Sequence, residues 1–399
     1  MDFNFRRIHF STPQKLLLLY KMLYLKIPNF ICFYFLSFLA LCQNNPSVQD
    51  QNSKSSKFTY EHPIEFSPSK YICYKTETPI KIDGLLSKSE WNNIPWTKDF
   101  TDIEGNLKPN PYLRTRAKMT WDDRYFYVAA VLEEPHIWAT LTQRDDIMFQ
   151  DDDFEIFIDP DADGHNYFEF EMNAYNAIWD LYMLYPYNMD HRRNYIMNWD
   201  MKGIKSAVYI EGTLNETSDV DFQWSIEVAI PWEEFKDFKK GNHIPTVGEQ
   251  WRINFSRVDW YMDIVEQEYI KRKDEDGKKL RENNWVWSPT GYVNMHKPET
   301  WGYVQFENHS NAVFTVKNED KIRWAIWQLY YQVKECWKDG EQPCTLEQFT
   351  LPKVEIDNYK FIPELSINEF GFNIKAKFSD NNYFIINELG LIEKQISIE

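Results

Sequence analysis

DFEIFIDPDADGHNYFEFEMNA, residues 153–174, decides the fold. Residues 153–159 set Asp, Glu and Asp against Phe and Ile at alternate positions, apart from Phe157, and residues 168–173 alternate large apolar and polar side chains after a turn rich in Asp, Pro and Gly. A period of two puts alternate side chains on opposite faces of a pleated strand, so the stretch reads as two strands joined by a hairpin turn. The pattern spreads outward. LRTRAKMTW (113–121) alternates, Asp122-Asp123 turns the chain, and RYFYVAAVL (124–132) returns. TPIKIDG (78–84), AIWDLYMLY (177–185), SAVYIEGTL (206–214), DFQWSIEVAI (221–230), WRINFSRVDW (251–260) and GYVQF (302–306) extend the series. PWEEFKDF (231–238) is a short helix with Pro231 in its first turn. Many short strands between polar loops predict a mainly β chain built on an antiparallel β-sandwich, over residues 71–308.

Beyond residue 309 the period changes. Ile322, Ala325, Ile326, Leu329, Tyr330, Val333 and Trp337 recur at helical spacing, with Asn318 to cap the helix and Gly340 to end it. PKVEID, FGFNIKAKF, YFIIN and LIEKQIS then read as short strands. The expectation is a small α+β C-terminal module over residues 309–399. Residues 43–70, rich in Ser, Asn and Pro, read as a flexible linker.

The N-terminus reads as an export segment over residues 1–42. Arg6, Arg7, Lys15, Lys21 and Lys26 precede the uncharged run IPNFICFYFLSFLALC, which has the length of a signal core and falls short of a membrane span. Met22 offers an alternative start. Leu39 to Cys42 resembles a lipobox, in which Cys42 would carry lipid and tether the chain to a membrane. Cleavage after Cys42 and an uncleaved anchor are the other readings. The expected location is the periplasm, the outer membrane or the cell surface. Of the remaining cysteines, Cys336 and Cys344 flank KDGEQP and either pair or stay as thiols, and Cys73 stands apart.

Charge narrows the partners. With 61 acidic against 44 basic residues the formal net charge is -17. That opposes nucleic-acid binding, which rests on Lys and Arg contacts to phosphate, and favours neutral or cationic partners. The 24 Tyr and 16 Trp suit surfaces that are apolar and wet at once. They crowd in WVWSPTGYVNMHKPETWGYVQF, 285–306. Trp285 and Trp287 precede the turn former Ser288-Pro289 and so are expected at a loop rim, Trp301 in the core, and His296 in a loop. Asp145, Asp146, Asp151, Asp152 and Asp153 crowd one loop, with Arg144 to offset them. Asp159, Asp161, Asp163 and Gly164 have the spacing of the first half of a calcium loop. Phe170 stands where the closing glutamate would be, so a structural calcium ion and a solvated turn both remain. Glu155 and Glu171, on successive strands, are the carboxylate pair a glycosidase would need. Arg257 reads as the partner of a carboxylate or of a ligand hydroxyl. No serine elbow, phosphate loop, zinc spacing or dinucleotide fingerprint is evident.

IDGLLSKSEWNNIPW (82–96), MTWDDRYFYVAAVLEEP (119–135), the run 144–174, DFQWSIEVAIPWEEF, EQWRINFSRVDW and NMHKPETWGYVQF together resemble family 9 carbohydrate-binding modules, over about residues 71–307. The stand-alone, exported bacterial members look most similar. The resemblance implies a β-sandwich that binds sugars in proteins of polysaccharide catabolism, with metal ions held structurally. It also implies two tryptophans sandwiching a sugar beside a glutamate. The glutamate falls on Glu155 and the first ring on or near Phe149. The second falls near Met295 or His296, where no tryptophan stands, and an arginine of the family falls on Glu171. The resulting expectation is non-catalytic binding of an oligo- or polysaccharide by Phe149, Glu155, Asn173, Arg257, Trp285, Trp287 and His296. The rivals are a glycan hydrolase using Glu155 with a second carboxylate, and a ligand-free surface protein that binds a protein partner.

Overall fold

Alternation along the strands sorts the side chains into three layers. The computed structural model describes residues 57–189, 194–309, 311–339, 344–356, 359–379 and 381–396. The export segment 1–42 with Cys42, and the linker as far as residue 56, lie outside the described residues.

In chain order the sandwich strands are β1 (Lys70–Tyr74), β2 (Thr101–Asp102), β3 (Thr115–Trp121), β4 (Tyr125–Glu133), β5 (Asp153–Asp159), β6 (Tyr167–Asn173), β7 (Ile178–Met183), β8 (Tyr195–Ile196), β9 (Lys205–Glu211), β10 (Gln223–Pro231), β11 (Gln250–Asp259), the hairpin β12 (Met262–Val265) and β13 (Glu268–Lys271), β14 (Asn283–Val286) and β15 (Gly302–Glu307). A nine-stranded sheet runs β1-β15-β11-β5-β6-β7-β8, with β14 beside β11 and β2 beside β14. Its pairs are antiparallel except β1 with β15. A four-stranded sheet, β3-β4-β10-β9, packs against it. Phe154, Ile156, Phe168, Phe170, Trp251, Ile253 and Phe255 from the large sheet meet Met119, Val128, Ala130, Trp224, Ile226 and Val228 from the small one. This is the antiparallel β-sandwich expected from the sequence.

Several expectations change, and one hairpin was not foreseen. Residues 78–84 form no strand. The fully buried Glu227 on β10 instead accepts hydrogen bonds from the backbone N–H groups of Asp83 and Gly84 and from Trp91 Nε1, and pairs with Lys88. A carboxylate so enclosed has to be satisfied on every side, and it pins this loop to the sheet. Gly84, at φ 82°, lies so close to β9 that a Cβ would stand 2.5 Å from the Tyr209 nitrogen. The hairpin β12–β13 was not legible, because its turn is Glu266-Gln267, both at positive φ, without the Asn-Gly or Asp-Gly that marks such turns.

Trp285 and Trp287 are not at a rim. Both lie in the core between the sheets, 2% and 4% exposed. Alternation on β14 turns Trp285 inward, while Val286 joins the opposite face. Trp287 fits because position 302 is glycine: a Cβ there would stand 2.4 Å from the indole. Arg257 is likewise internal, 1% exposed. It donates to Glu134 (2.6 Å), Asp259 (2.9 Å) and the Glu133 carbonyl (2.8 Å). It closes one end of the sandwich and contacts no cavity described below.

The C-terminal part comprises a helix, Glu319–Asp339, strands Glu355–Ile356 and Tyr359–Lys360, and a four-stranded antiparallel meander of Pro363–Asn368, Gly371–Lys377, Asn382–Asn387 and Ile392–Ile396. The helix begins directly after Asn318, and its stripe of Ile322, Ala325, Ile326, Leu329, Tyr330 and Val333 packs on Phe372, Ile374, Phe384 and Ile386. Cys336 and Cys344 form a disulfide, and Cys73 is a buried thiol. The described end of the expected linker is not free. Phe58 bridges to Phe349, Tyr60 stacks on Tyr331 at 4.6 Å, and Phe66 stacks on Trp324 at 3.7 Å. No described helix is long and apolar enough to cross a membrane.

Truncating a core indole costs ~3–5 kcal/mol. Trp287→Ala is therefore expected to lower unfolding stability by about that much in a urea titration, whereas a rim tryptophan would change it by under ~0.5 kcal/mol.

Candidate functional site

The outward side chains of β5, β6 and β7 do not face open solvent. Phe157, Tyr167, Trp179, Leu181 and Met183 join Ile103, Met148, Met295 and Trp301 in a second apolar cluster on that face. Two loops cover it: the short 3-10 turn Met148–Gln150, and the segment 291–301. Between them opens a concavity of about 290 Å³.

Three glutamates form its floor. Glu155 on β5 stands directly opposite Glu171 on β6, and Glu169 lies on the same face two residues earlier, opposite Phe157. Carboxylate oxygens of Asp153, Glu155 and Glu171 come within 4.8 Å of one another. All four acids are nearly or fully buried. Phe149, Trp179, Tyr187, Phe157, Met295 and His296 supply the walls, and Arg281, Glu282 and Asn294 the edge. Phe149 and Tyr187 are 37% and 41% exposed, so their rings are open to a visitor. The Phe149 backbone N–H donates to Glu171 Oε2 at 3.2 Å, tying the ring-bearing loop to the floor.

Burial sets the proton affinities here. It raises the Glu155 carboxyl from 4.5 to about 7, with Glu282 adding to the rise. Glu169 and Glu171 are held well above the ordinary range, first by burial and then by repulsion from Glu155. His296 goes the other way: burial lowers it to about 3, so it is neutral at physiological pH. Its Nδ1 is 2.7 Å from the Tyr167 hydroxyl, and Nε2 points toward Glu169 at 3.7 Å. No cation therefore neutralises Glu169 from that side. Two polar atoms on the lining, Glu169 Oε2 and Trp179 Nε1, are buried and lack any hydrogen-bond partner. Orphaned buried polar atoms are rare in folded proteins, and a donor and an acceptor on one cavity wall suit a hydroxylated guest.

The wall segment is braced from outside. Glu299 and Lys297, on the loop that carries Met295 and His296, bond with Tyr331 of the C-terminal helix, and Tyr60 stacks on that tyrosine. The C-terminal module thus holds one side of the cavity in place.

Of the residues singled out from the sequence, Phe149, Glu155 and His296 meet at this concavity. Asn173 does not reach it. Its amide donates to the Leu141 carbonyl (2.8 Å) and Asp151 (3.0 Å), and its oxygen accepts from Tyr175 and Ala177, closing the turn after β6. Trp285, Trp287 and Arg257 lie on the inner side of the sheet, as described above. Sequence reasoning missed Trp179, Tyr187 and Glu169 as lining residues. Parity could have found Trp179 and Glu169, since both fall on the outward set of their strands; Tyr187 sits in a loop with no such signal.

Asp159, Asp161 and Asp163 do converge, with ligand atoms within 4.8 Å of one another. Asp159 is 1% exposed, and its Oδ1, like Asp161 Oδ1, has no partner. Asp159 Oδ2 accepts from the Gly164 N–H at 2.9 Å. An all-oxygen set with orphaned buried atoms fits a hard divalent cation.

A sandwich with a ring-and-carboxylate concavity on an outward face has the architecture of a β-sandwich module. The family model described as "carbohydrate family 9 binding domain-like" matches residues 82–309, more than half of the chain. The chain belongs to that family. It is 27% identical over 181 residues to endo-1,4-beta-xylanase A of Thermoanaerobacterium saccharolyticum, covering 45% of this chain and 13% of the xylanase. It is 26% identical over 182 residues to exoglucanase XynX of Acetivibrio thermocellus, covering 45% of this chain and 14% of that protein. The match is thus a small part of these relatives' length. Among solved structures, a family 9 module of Caldicellulosiruptor kristjanssonii in complex with cellotriose aligns over 62% of this chain and all of the module, at 15% identity and a TM-score of 0.38. A putative carbohydrate-binding protein of Bacteroides uniformis aligns over 60% of this chain and all of that one, at 17% identity and a TM-score of 0.44.

A carboxyl whose pKa is raised by folding stabilises the folded state below its unfolded value, and that contribution is lost as pH rises through the folded value. Glu155, Glu134 and Asp163, all raised to about 7, act in the same direction. Asp83, lowered to about 2 by Lys88, acts only below this window. The thermal midpoint is therefore expected to fall between about pH 5 and pH 8, and Glu155→Gln to flatten that fall in differential scanning calorimetry.

Proposed function

We propose that this chain binds carbohydrate at the concavity over β5, β6 and β7 and performs no bond chemistry there. The observation that carries the reading is the joining of exposed rings, Phe149 and Tyr187, to a floor of buried glutamates with an orphaned acceptor and an orphaned donor. A pyranose offers apolar ring faces to the aromatics and hydroxyls to Glu155, Glu169 and Trp179. Membership of the family supports this, as do the names of the xylanase and exoglucanase relatives. Glycosidase chemistry is disfavoured by geometry. Hydrolysis needs carboxyls flanking the scissile bond, whereas Glu155 and Glu171 rise side by side from one sheet face.

Export to an oxidising compartment is part of the same proposal. The Cys336–Cys344 disulfide suits such a setting, and the basic, then apolar leader before Cys42 suits secretion with a lipid tether. A sugar-gripping module there would hold the cell near polysaccharide that other proteins degrade. The acidic loop at Asp159, Asp161 and Asp163 would hold a structural calcium ion. Such an ion would sit where the C-terminal module already bonds that loop, through Arg323 to the Ala162 carbonyl at 2.7 Å and Ile392 N–H to the Asp163 carbonyl at 3.0 Å.

Calorimetric titration with neutral, amino and acidic oligosaccharides is expected to give a dissociation constant between micromolar and millimolar for at least one, about -8 to -4 kcal/mol. Phe149→Ala and Glu155→Gln should each weaken it by about tenfold or more, a loss of ~1.4 kcal/mol. Silence across the panel rejects the proposal, and product release from labelled polysaccharide that Glu155→Gln abolishes would establish the hydrolase instead. Calcium is expected to raise the thermal midpoint, and Asp159→Asn to remove that response; an unchanged midpoint would leave the loop a solvated turn.

A further inference from the structure

Acidic residues outnumber basic ones in the concavity. Glu155, Glu169, Glu171 and Glu282 line it, and Asp153 lies within 4.8 Å of two of them. Among the described lining residues Arg281 is the one cation; it is solvent-exposed at the edge and is in no ion pair. His296 is neutral, so among the described residues the floor has no internal counter-charge. Several buried acids elsewhere are matched by a cation: Glu227 has Lys88, Asp180 has Arg144, and Glu134 and Asp259 share Arg257. This unmatched cluster coincides with the cavity that has orphaned polar atoms and open rings.

We infer that this site selects a sugar bearing a protonated amine, a glucosamine-type residue, over its neutral and N-acetylated counterparts; the inference rests on the sugar-binding reading above. An ammonium group placed over Glu155, Glu169 and Glu171 would supply positive charge in place of the protons that burial favours on them, and its N–H donors would satisfy Glu169 Oε2. The aromatic walls add attraction for a cation over a ring face. A bare metal ion is the other chemistry that acid clusters take. The cavity's size and walls favour the sugar: about 290 Å³ lined by Phe149, Trp179 and Tyr187 is at the small end of organic-ligand pockets and far larger than an ion. An N-acetyl group would place an uncharged amide against the same carboxyls, with no positive charge to exchange for the protons that burial favours on them.

The test is calorimetric titration of the whole chain with three trimers of equal length: tri-glucosamine, tri-N-acetylglucosamine and cellotriose, at about 0.15 M salt, where diffuse attraction to a chain of charge -17 is largely screened. Tri-glucosamine is expected to bind at least ~10-fold tighter than either counterpart. Glu169→Gln should reduce that ratio several-fold. Folding of the variant is verified by its thermal midpoint, which an uncharged isostere at a buried acid should preserve. Equal or tighter binding of cellotriose or of the N-acetylated trimer overturns the inference and leaves the sugar-binding reading standing. No binding of any trimer, with the wider panel also silent, removes both. A preference for the amine that Glu169→Gln leaves untouched assigns it to general surface charge and overturns the inference. So does calcium alone binding at this site, shown by titration of Asp159→Asn protein and lost in Glu169→Gln.

Discussion

The register between β5 and β6 governs this molecule. Because Asp153 faces Asn173 and Ile158 faces Phe168, every even-numbered residue of both strands points into the inter-sheet core and every odd one points outward. The same pairing that puts Phe154, Ile156, Phe168, Phe170 and Met172 against the small sheet puts Glu155, Glu169 and Glu171 together on the far side. A one-residue slip would exchange the two sets, burying three carboxyls among phenylalanines. The hydrophobic core therefore fixes which acidic residues line the concavity.

Close apposition of those carboxyls is unfavourable by itself, through burial and mutual repulsion. The sandwich tolerates it because the inner faces bury so many large rings, among them Trp224, Trp232, Trp251, Trp285 and Trp287. A site assembled in this way is pre-formed: its floor belongs to central strands, and its walls are loops pinned by hydrogen bonds to that floor or to the C-terminal helix. A ligand bound there would need little ordering of the chain, and such ordering is one of the costs of association.

The C-terminal module and the segment before β1 act together on this arrangement. Tyr60, His62 and Phe66 pack around Trp324 and Tyr331 of the helix, and the same helix holds Lys297 and Glu299. What reads as a tether up to residue 70 thus becomes, over its described part, a strap that joins the module to the sandwich. Composition did not reveal this, because a Pro- and Ser-containing stretch with scattered aromatics has no periodicity of its own; its order comes from rings supplied by sequence-distant residues.

The sandwich was legible from local pattern: two-residue alternation over 113–132 and 153–174 and helical spacing over 319–339 depend only on backbone geometry, which the sequence itself encodes. Glu155 and Phe149 were named through the family resemblance of the motif around them, and both line the concavity. Trp285, Trp287 and Arg257 were misplaced, because the sequence shows that a strand alternates without showing which face is covered. Only the packing of one sheet on the other turned the two indoles and the guanidinium inward, and only the fold-back of segment 291–301 brought His296 to Glu169. The sequence by itself determined the strands, the helix and the chemistry available; tertiary structure decided which side chains meet, since burial and charge pairing arise between residues far apart in the chain.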